Sequence, residues 1–340
     1  MYPMILTIKK AVCKILAVVL LLPSGYCLSD SNNTITAANP YESIENPYIV
    51  EYLNPDIAAH RSGAGNAPQN TLMAFENIIE KGDDCCVDTL EFDVQITADG
   101  ELVLQHDLTY DNTSNAAEAF GKKNVYVSSL TFEEAQVLNL GENFEVDGEY
   151  PYRGLRGDEI PENLRVVTCD SIIDYVEANC GDKKYNYLIE VKSIGADGKR
   201  AVDKLYSIIS ERNLTDRTVW STFAPDVSSY MKSDYPEIPR TADAIEAVGF
   251  YLCFALGIDL KETNPSYVAL QIPYGGMIND FIDLGSEEML SYAHSYNIAV
   301  QYWTINEEED VKRLTENGAD CIITDYPEMA YSVIEECKNQ

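Results

Sequence analysis

Short apolar runs recur along this chain at lengths that suit β-strands. They fall at 57–60 (IAAH), 88–97 (DTLEFDVQIT), 101–105 (ELVLQ), 185–191 (YNYLIEV), 218–223 (TVWSTF), 267–273 (YVALQIP), 298–304 (IAVQYWT) and 321–325 (CIITD). Stretches of helical period lie between many of them. Thr71–Lys81 places Leu72, Phe75, Ile78 and Ile79 on one face, and Ser171–Asn179 does the same with Ile172, Ile173 and Val176. Ala201–Arg212 and Glu307–Asn317 behave similarly, and Gly82, Gly181 and Gly318 stand where C-terminal caps are expected. Strand alternating with helix predicts an α/β fold with parallel strands.

Two architectures satisfy that alternation. A doubly wound nucleotide-binding sheet wants Gly-x-Gly-x-x-Gly after its first strand. Gly63-Ala64-Gly65 supplies the first two glycines, but Pro68 fills the third position. The remaining choice is a (β/α)8 TIM barrel, whose chemistry gathers at the C-terminal ends of the strands. No repeat, low-complexity tract or Pro/Gly-rich linker interrupts residues 55–330, so a single catalytic domain over 55–335 is expected.

The N-terminus differs from the rest. Lys9, Lys10 and Lys14 precede an apolar run from Ile15 to Leu22, which Pro23, Ser24 and Gly25 break. The run is far short of the roughly 20 apolar residues a spanning helix needs. Its layout is that of a secretory signal peptide over 1–27, cut after Cys27, ahead of a polar arm or linker over 28–54. An uncleaved anchor, or a lipid on Cys27, fits less well. No other segment is long and apolar enough to cross a bilayer, so no stable membrane span is expected after processing. Seven cysteines remain beyond residue 27, an odd number with no Cys-x-x-Cys pair, which favours structural roles over a zinc site.

Charge narrows the partners. The chain holds 24 Lys+Arg against 56 Asp+Glu, a formal charge of −32, and would repel nucleic acid. Loss of residues 1–27 removes three lysines and no acid, which takes the charge to −35. A hydrophobic content of 46 % excludes global disorder.

Against this acidic background a few residues stand out at predicted strand ends. His60-Arg61 closes the first run, and His106-Asp107 closes the third. Glu91 and Asp93 are spaced i, i+2 in a strand and so project from one face. Glu190 and Lys192 repeat the spacing. Three carboxylates converging on one opening call for a hard divalent cation. Two imidazoles beside it supply a general acid and a general base for phosphoryl transfer.

In these positions the chain resembles the glycerophosphodiester phosphodiesterases, relatives of the phosphatidylinositol-specific phospholipases C. The shared motifs are His60-Arg61, Ala67-Pro68-Gln69-Asn70-Thr71, Glu91-x-Asp93, Thr97-x-Asp99-Gly100, His106-Asp107, Glu190-x-Lys192, Trp303-Thr304-x-Asn306 and Thr324-Asp325-x-Pro327. The resemblance implies that His60 and His106 are the acid/base pair and that Glu91, Asp93 and Glu190 bind one Ca2+ or Mg2+. It further implies that Arg61 and Lys192 hold the substrate phosphate and that Trp303 forms a substrate wall. The implied reaction hydrolyses a small glycerophosphodiester to glycerol 3-phosphate and an alcohol through a cyclic phosphate. Lysophospholipase D or sphingomyelinase D-like cleavage is the alternative, and a non-catalytic binding barrel a third reading. Two positions depart from the family pattern: Ser62 where glycine is usual, and Gln69 where a glutamate is usual. Ser62 would strain the turn if its φ is positive.

Other features read as structural or stay open. His294, in a helix-like segment, is expected to be a structural histidine. Phe223, Gln271 and Tyr274 lie near strand ends without an assigned role. Residues 141–170 form a long polar connection, either a lid in which Tyr152, Arg153 and Arg156 bring cations over the mouth or an ordered surface excursion.

Overall fold

The computed structural model describes residues 46–82, 86–263, 265–275 and 283–339. The expected signal peptide and the arm up to residue 45 lie outside them. No helix among the described residues is long and apolar enough to cross a membrane. The strands are β1 (Asp56–Ala59), β2 (Thr89–Ile96), β3 (Leu102–Leu104), β4 (Asn186–Val191), β5 (Thr218–Ser221), β6 (Ala269–Pro273), β7 (Ala299–Trp303) and β8 (Cys321–Thr324). Seven of them pair in the order β5-β4-β2-β1-β8-β7-β6, every pair parallel.

The two ends of that order are joined by residues 239–242. Trp220 N donates to Pro239 O and Thr241 N to Trp220 O, each at 2.9 Å. On the other side Val268 N donates to Arg240 O at 2.9 Å and Ala242 N to Ala269 O at 2.8 Å. This short segment is therefore the fifth stave of a TIM-type α/β barrel. Its sequence, Pro-Arg-Thr-Ala, has none of the apolar alternation that marks the other staves, so periodicity did not predict it.

The run at 101–105 also needs correction. It is not a parallel stave: β3 pairs antiparallel with β2, Val94 opposite Leu104 and Ile96 opposite Leu102. Thr97 explains the reversal. Its hydroxyl donates to Asp99 Oδ1 at 2.5 Å and accepts from Glu101 N at 2.9 Å, while Gly100 takes φ +90°. A turn this tight closes a hairpin, whereas a parallel partner needs a long crossover. β2 thus continues past its pairing with β1, and the hairpin returns the chain toward the mouth.

Ten helices are described: α1 (Leu72–Lys81), α2 (Ala116–Ala119), α3 (Phe132–Ala135), α4 (Cys169–Asn179), α5 (Gly195–Glu211), α6 (Pro225–Asp234), α7 (Ala244–Leu256), α8 (Glu287–Ser295), α9 (Glu308–Asn317) and α10 (Pro327–Lys338). The predicted helices recur as α1, α4, α5 and α9, although α5 begins at Gly195 rather than Ala201. Gly198 hides that start in the sequence. A β-carbon there would collide with Ser193 O and the Val227 side chain of α6, so only glycine fits.

Strand alternation sorts the β2 side chains. Leu90, Phe92 and Val94 pack outward with Phe75, Tyr187 and Trp220 in the main core, at most 2 % exposed, while Glu91 and Asp93 point the other way. Residues 107–168 form an excursion with its own core around Tyr110, Val125, Val127, Leu138 and Leu140. Arg156 there pairs with Glu118 (2.5 Å) and Glu142 (2.8 Å), and Arg153 stacks on Tyr150. These cations are engaged inside the excursion, in keeping with the ordered-surface alternative.

The last part of the arm wraps the barrel at the end opposite the C-terminal strand ends. Asn46 donates to Val268 O (2.7 Å) and Asn297 O (2.9 Å), and Val50 N donates to Asp320 Oδ1 (3.1 Å). His294, buried on α8, meets Asp320 Oδ2 at 2.8 Å, which bears out its structural reading. Cys169, Cys180, Cys253, Cys321 and Cys337 are free thiols, and all but Cys180 are buried.

Candidate active site

The site is assembled at the C-terminal ends of β1, β2, β4, β5, β7 and β8. Just beyond β1 the chain makes a tight turn in which Arg61 (φ +49°) and Ser62 (φ +62°) both take the left-handed conformation. The positive φ expected to trouble a serine is therefore present. Ser62 is 1 % exposed, and its hydroxyl is buried without a partner. The turn aims the Arg61 amide at Glu91 Oε2 (2.6 Å) and the Arg61 guanidinium toward Asp93 Oδ2, 3.6 Å from Nε.

Glu91, Asp93 and Glu190 come together as predicted. Asp93 and Glu190 are direct neighbours across the β2–β4 pairing, and the three groups bring carboxylate oxygens within 4.8 Å of one another. Lys192 Nζ lies 3.1 Å from Asp93 Oδ1 and 2.7 Å from Glu190 Oε2. Asn70 clamps Asp93 twice: its Nδ2 donates to Oδ2 at 2.9 Å, and its Oδ1 accepts from the Asp93 amide at 3.1 Å.

The electrostatics divide these acids into unlike members. Burial opposes ionisation of Asp93, but Lys192, His106 and Arg61 outweigh it and hold the carboxyl far below its usual range. Burial, reinforced by the Asp93 charge, pushes the Glu91 carboxyl well up. Burial also works against the Lys192 ammonium, yet the two carboxylates beside it raise its pKa. An all-oxygen donor set with one member short of a counter-charge suits a hard divalent cation. Glu91, Asp93 and Glu190 therefore fit the metal their spacing suggests.

Both histidines lie within electrostatic reach of Asp93. His60 Nδ1 meets Asp325 Oδ1 at 2.6 Å, and Asp325 Oδ2 accepts from Asn306 Nδ2 at 2.7 Å. Asn306 is itself fixed, accepting from the Asp325 amide at 3.0 Å. Burial lowers the His60 pKa, and the Asp325 hydrogen bond only partly offsets it, so the imidazole is neutral near pH 7. His106, delivered by the β3 hairpin, places Nδ1 2.8 Å from Asp107 Oδ1, and Asp107 Oδ2 accepts from Asn112 at 2.5 Å. With each Nδ1 engaged by a carboxylate, Nε2 is the atom left for proton transfer on both rings.

Trp303 stands at the C-terminal end of β7. Its ring meets Phe223 edge to face at 5.8 Å, and the Phe223 ring lies 5.7 Å from Lys192 Nζ. Trp303 Nε1 is buried without a partner, and the Trp303–Thr304 peptide is cis. Phe223, without an assigned role in the sequence, thus joins the site. Gln271 does not: it accepts from Ser221 (2.8 Å) and donates to Gln301 (3.3 Å) inside the barrel. Asp325, Asn306, Asp107 and Asn70 hold the predicted site residues in place through these hydrogen bonds. The sequence held them within the matched motifs, but only their contacts reveal the task.

Comparison with known proteins agrees with this geometry. The chain matches the glycerophosphoryl diester phosphodiesterase family over residues 60–329. It is 28 % identical over 287 residues to a glycerophosphodiester phosphodiesterase of Caldanaerobacter subterraneus, covering 82 % of this chain and 98 % of that one. It is 22 % identical over 291 residues to a lysophospholipase D of Mus musculus, covering 80 % and 79 % of the two chains. Its fold superposes with a TM-score of 0.60 on an Oleispira antarctica phosphodiesterase solved with the product sn-glycerol-3-phosphate, at 20 % identity and with 83 % and 97 % covered. Matched over most of its length, with the motif residues gathered at one mouth, the chain belongs to the glycerophosphoryl diester phosphodiesterase family.

Proposed function

We propose that this protein, exported by its N-terminal segment, hydrolyses small glycerophosphodiesters to glycerol 3-phosphate and the free alcohol. The observation that carries the reading is two carboxylate-oriented imidazoles facing one cluster of three acids and two cations. His60, neutral and with Nε2 free, takes the proton of the glycerol 2-hydroxyl as its oxygen bonds to phosphorus. The bond from phosphorus to the alcohol oxygen breaks, and His106 protonates that oxygen. Water then opens the cyclic phosphate with the roles reversed: His106 takes the water proton, and His60 returns its own to the 2-oxygen. Arg61 and Lys192 hold the phosphoryl oxygens, and Trp303 with Phe223 walls the glycerol side. A divalent cation on Glu91, Asp93 and Glu190 would supply Lewis-acid stabilisation of the phosphoryl charge.

The test is turnover of glycerophosphocholine with Ca2+ or Mg2+, before and after chelation. Activity is expected to require the metal and to collapse in His60→Ala and His106→Ala. Full activity in either variant overturns the acid/base assignment, and full activity after chelation overturns the metal cage. A second reading, lysophospholipase D-type cleavage, is favoured by apolar groups exposed just beyond barrel strands. Ile194 (47 % exposed) follows β4, and Tyr326 (42 %) follows β8. Lysophosphatidylcholine, compared with glycerophosphocholine at equal concentration, discriminates the two.

A further inference from the structure

The turn after β1 carries a departure from the family pattern that touches the phosphate-binding arginine directly. Arg61 NH1 donates to Gln69 Oε1 at 2.5 Å, and Gln69 is half-buried. The rest of the guanidinium faces the Asp93 carboxylate as an ion pair without a hydrogen bond. Nε lies 3.6 Å from Asp93 Oδ2, beyond hydrogen-bond reach, and is buried without a partner. Asp93 itself is already engaged by Lys192 at 3.1 Å and Asn70 at 2.9 Å. The side-chain hydrogen bond that aims Arg61 is therefore made to an uncharged amide, at a position where the resembling sequences carry a carboxylate.

We propose that Gln69 is a positioning residue that holds the Arg61 guanidinium without neutralising it, leaving the site one unit of positive charge richer toward an anionic phosphate. An amide oxygen and a carboxylate oxygen offer the same acceptor geometry to NH1. Only the carboxylate pairs with the full charge and competes with the incoming phosphate for it. The gain falls on binding of the anion in ground state and product alike, so it belongs in KM and product affinity rather than in kcat. The inference rests on the assignment of Arg61 to the phosphate, but it is tested by equilibrium binding and so stands or falls apart from turnover.

The experiment compares the parent protein with Gln69→Glu and Gln69→Leu, each shown to fold by circular dichroism. Binding of glycerol 3-phosphate and of inorganic phosphate is followed by calorimetry in the presence of Mg2+. A partly screened unit charge at the site changes affinity by about tenfold. Gln69→Glu keeps the acceptor and is expected to weaken both Kd values by about that factor, with the difference shrinking at high salt. Gln69→Leu removes the acceptor but adds no charge, and is expected to weaken binding less than Gln69→Glu. In turnover, Gln69→Glu is expected to raise KM with kcat close to the parent value. Equal or tighter phosphate binding by Gln69→Glu overturns the proposal and leaves Gln69 a purely geometric support. Loss of turnover in the parent with this affinity order intact would instead count against the hydrolytic reading alone.

Discussion

Asp325→Asn isolates the contribution of the carboxylate that orients His60. In the native arrangement Asp325 lies 2.6 Å from His60 Nδ1 and is held from behind by Asn306 at 2.7 Å, so the substituted amide has the same anchor and nearly the same shape. What changes is charge and, with the amide oxygen kept on Asn306, the N–H now turned toward His60 Nδ1. A hydrogen bond to an ionised group is worth about 1.5–3 kcal/mol. This one matters most when His60 carries the proton of the attacking hydroxyl. Lost mainly in that transition state, it lowers kcat by roughly ten- to a hundredfold, with KM little changed. The pH profile gives a second, independent reading. Burial lowers the His60 pKa and the Asp325 hydrogen bond raises it, so the variant leaves burial less opposed. The pKa falls further, and the acid limb of kcat/KM moves to lower pH even as the plateau drops. Steady-state kinetics on glycerophosphocholine between about pH 4 and 9 measure both effects, since an unperturbed imidazole titrates near 6.5. A kcat close to the parent value, or an acid limb displaced upward, would refute the assignment of His60 as the base held by Asp325.

Three further outcomes follow from the same contacts. Because burial and the Asp93 charge push the Glu91 carboxyl up, binding of Mg2+ or Ca2+ should weaken as pH falls and release a proton wherever Glu91 still holds one. Calorimetry in buffers of different ionisation heat detects the release, and Glu91→Gln should abolish it. At the other end of the barrel, burial and then the charges of Asp88 and Asp320 push the Asp56 carboxyl from 3.8 up to about 7. The folded state therefore holds a proton there that the unfolded state has lost, and stability falls as pH rises from about 4 to about 7. Asp56→Asn should remove that slope and stabilise the protein by up to about 4 kcal/mol above the window, read from urea unfolding at pH 5 and pH 8. Ser62→Gly should relieve both the left-handed serine and its unpartnered hydroxyl, raising stability by roughly 1–3 kcal/mol while turnover persists. An unchanged or lower midpoint would show that the hydroxyl has a partner worth its burial.

Much of this molecule was legible from local pattern. Apolar runs locate seven of the eight staves, because a stave buried on both faces must be apolar at most positions. The i, i+2 spacing of Glu91 with Asp93 and of Glu190 with Lys192 places both pairs on the inner face, since a strand alternates its side chains whatever surrounds it. Turn chemistry was equally readable at Thr97–Gly100, but its consequence was not. The same residues that end β2 send β3 back antiparallel, so His106 reaches the mouth by a hairpin rather than at the end of a stave.

What the sequence by itself determined is the inventory: which side chains could form an acid/base pair and a carboxylate cage, and on which strand faces they stand. Those properties follow from residue type and backbone period, which are local. The tertiary structure alone decided the closure of the barrel through residues 239–242, whose backbone hydrogen bonds leave no mark on composition. It also decided which carboxylate orients which histidine, because Asp325 and His60 lie 265 residues apart in the chain and meet only when β8 pairs with β1. The unequal ionisation of Glu91 and Asp93 has the same origin. Two acids two positions apart on one strand differ because Lys192, His106, Arg61 and Asn70 converge on one of them, and long-range packing alone arranges that convergence.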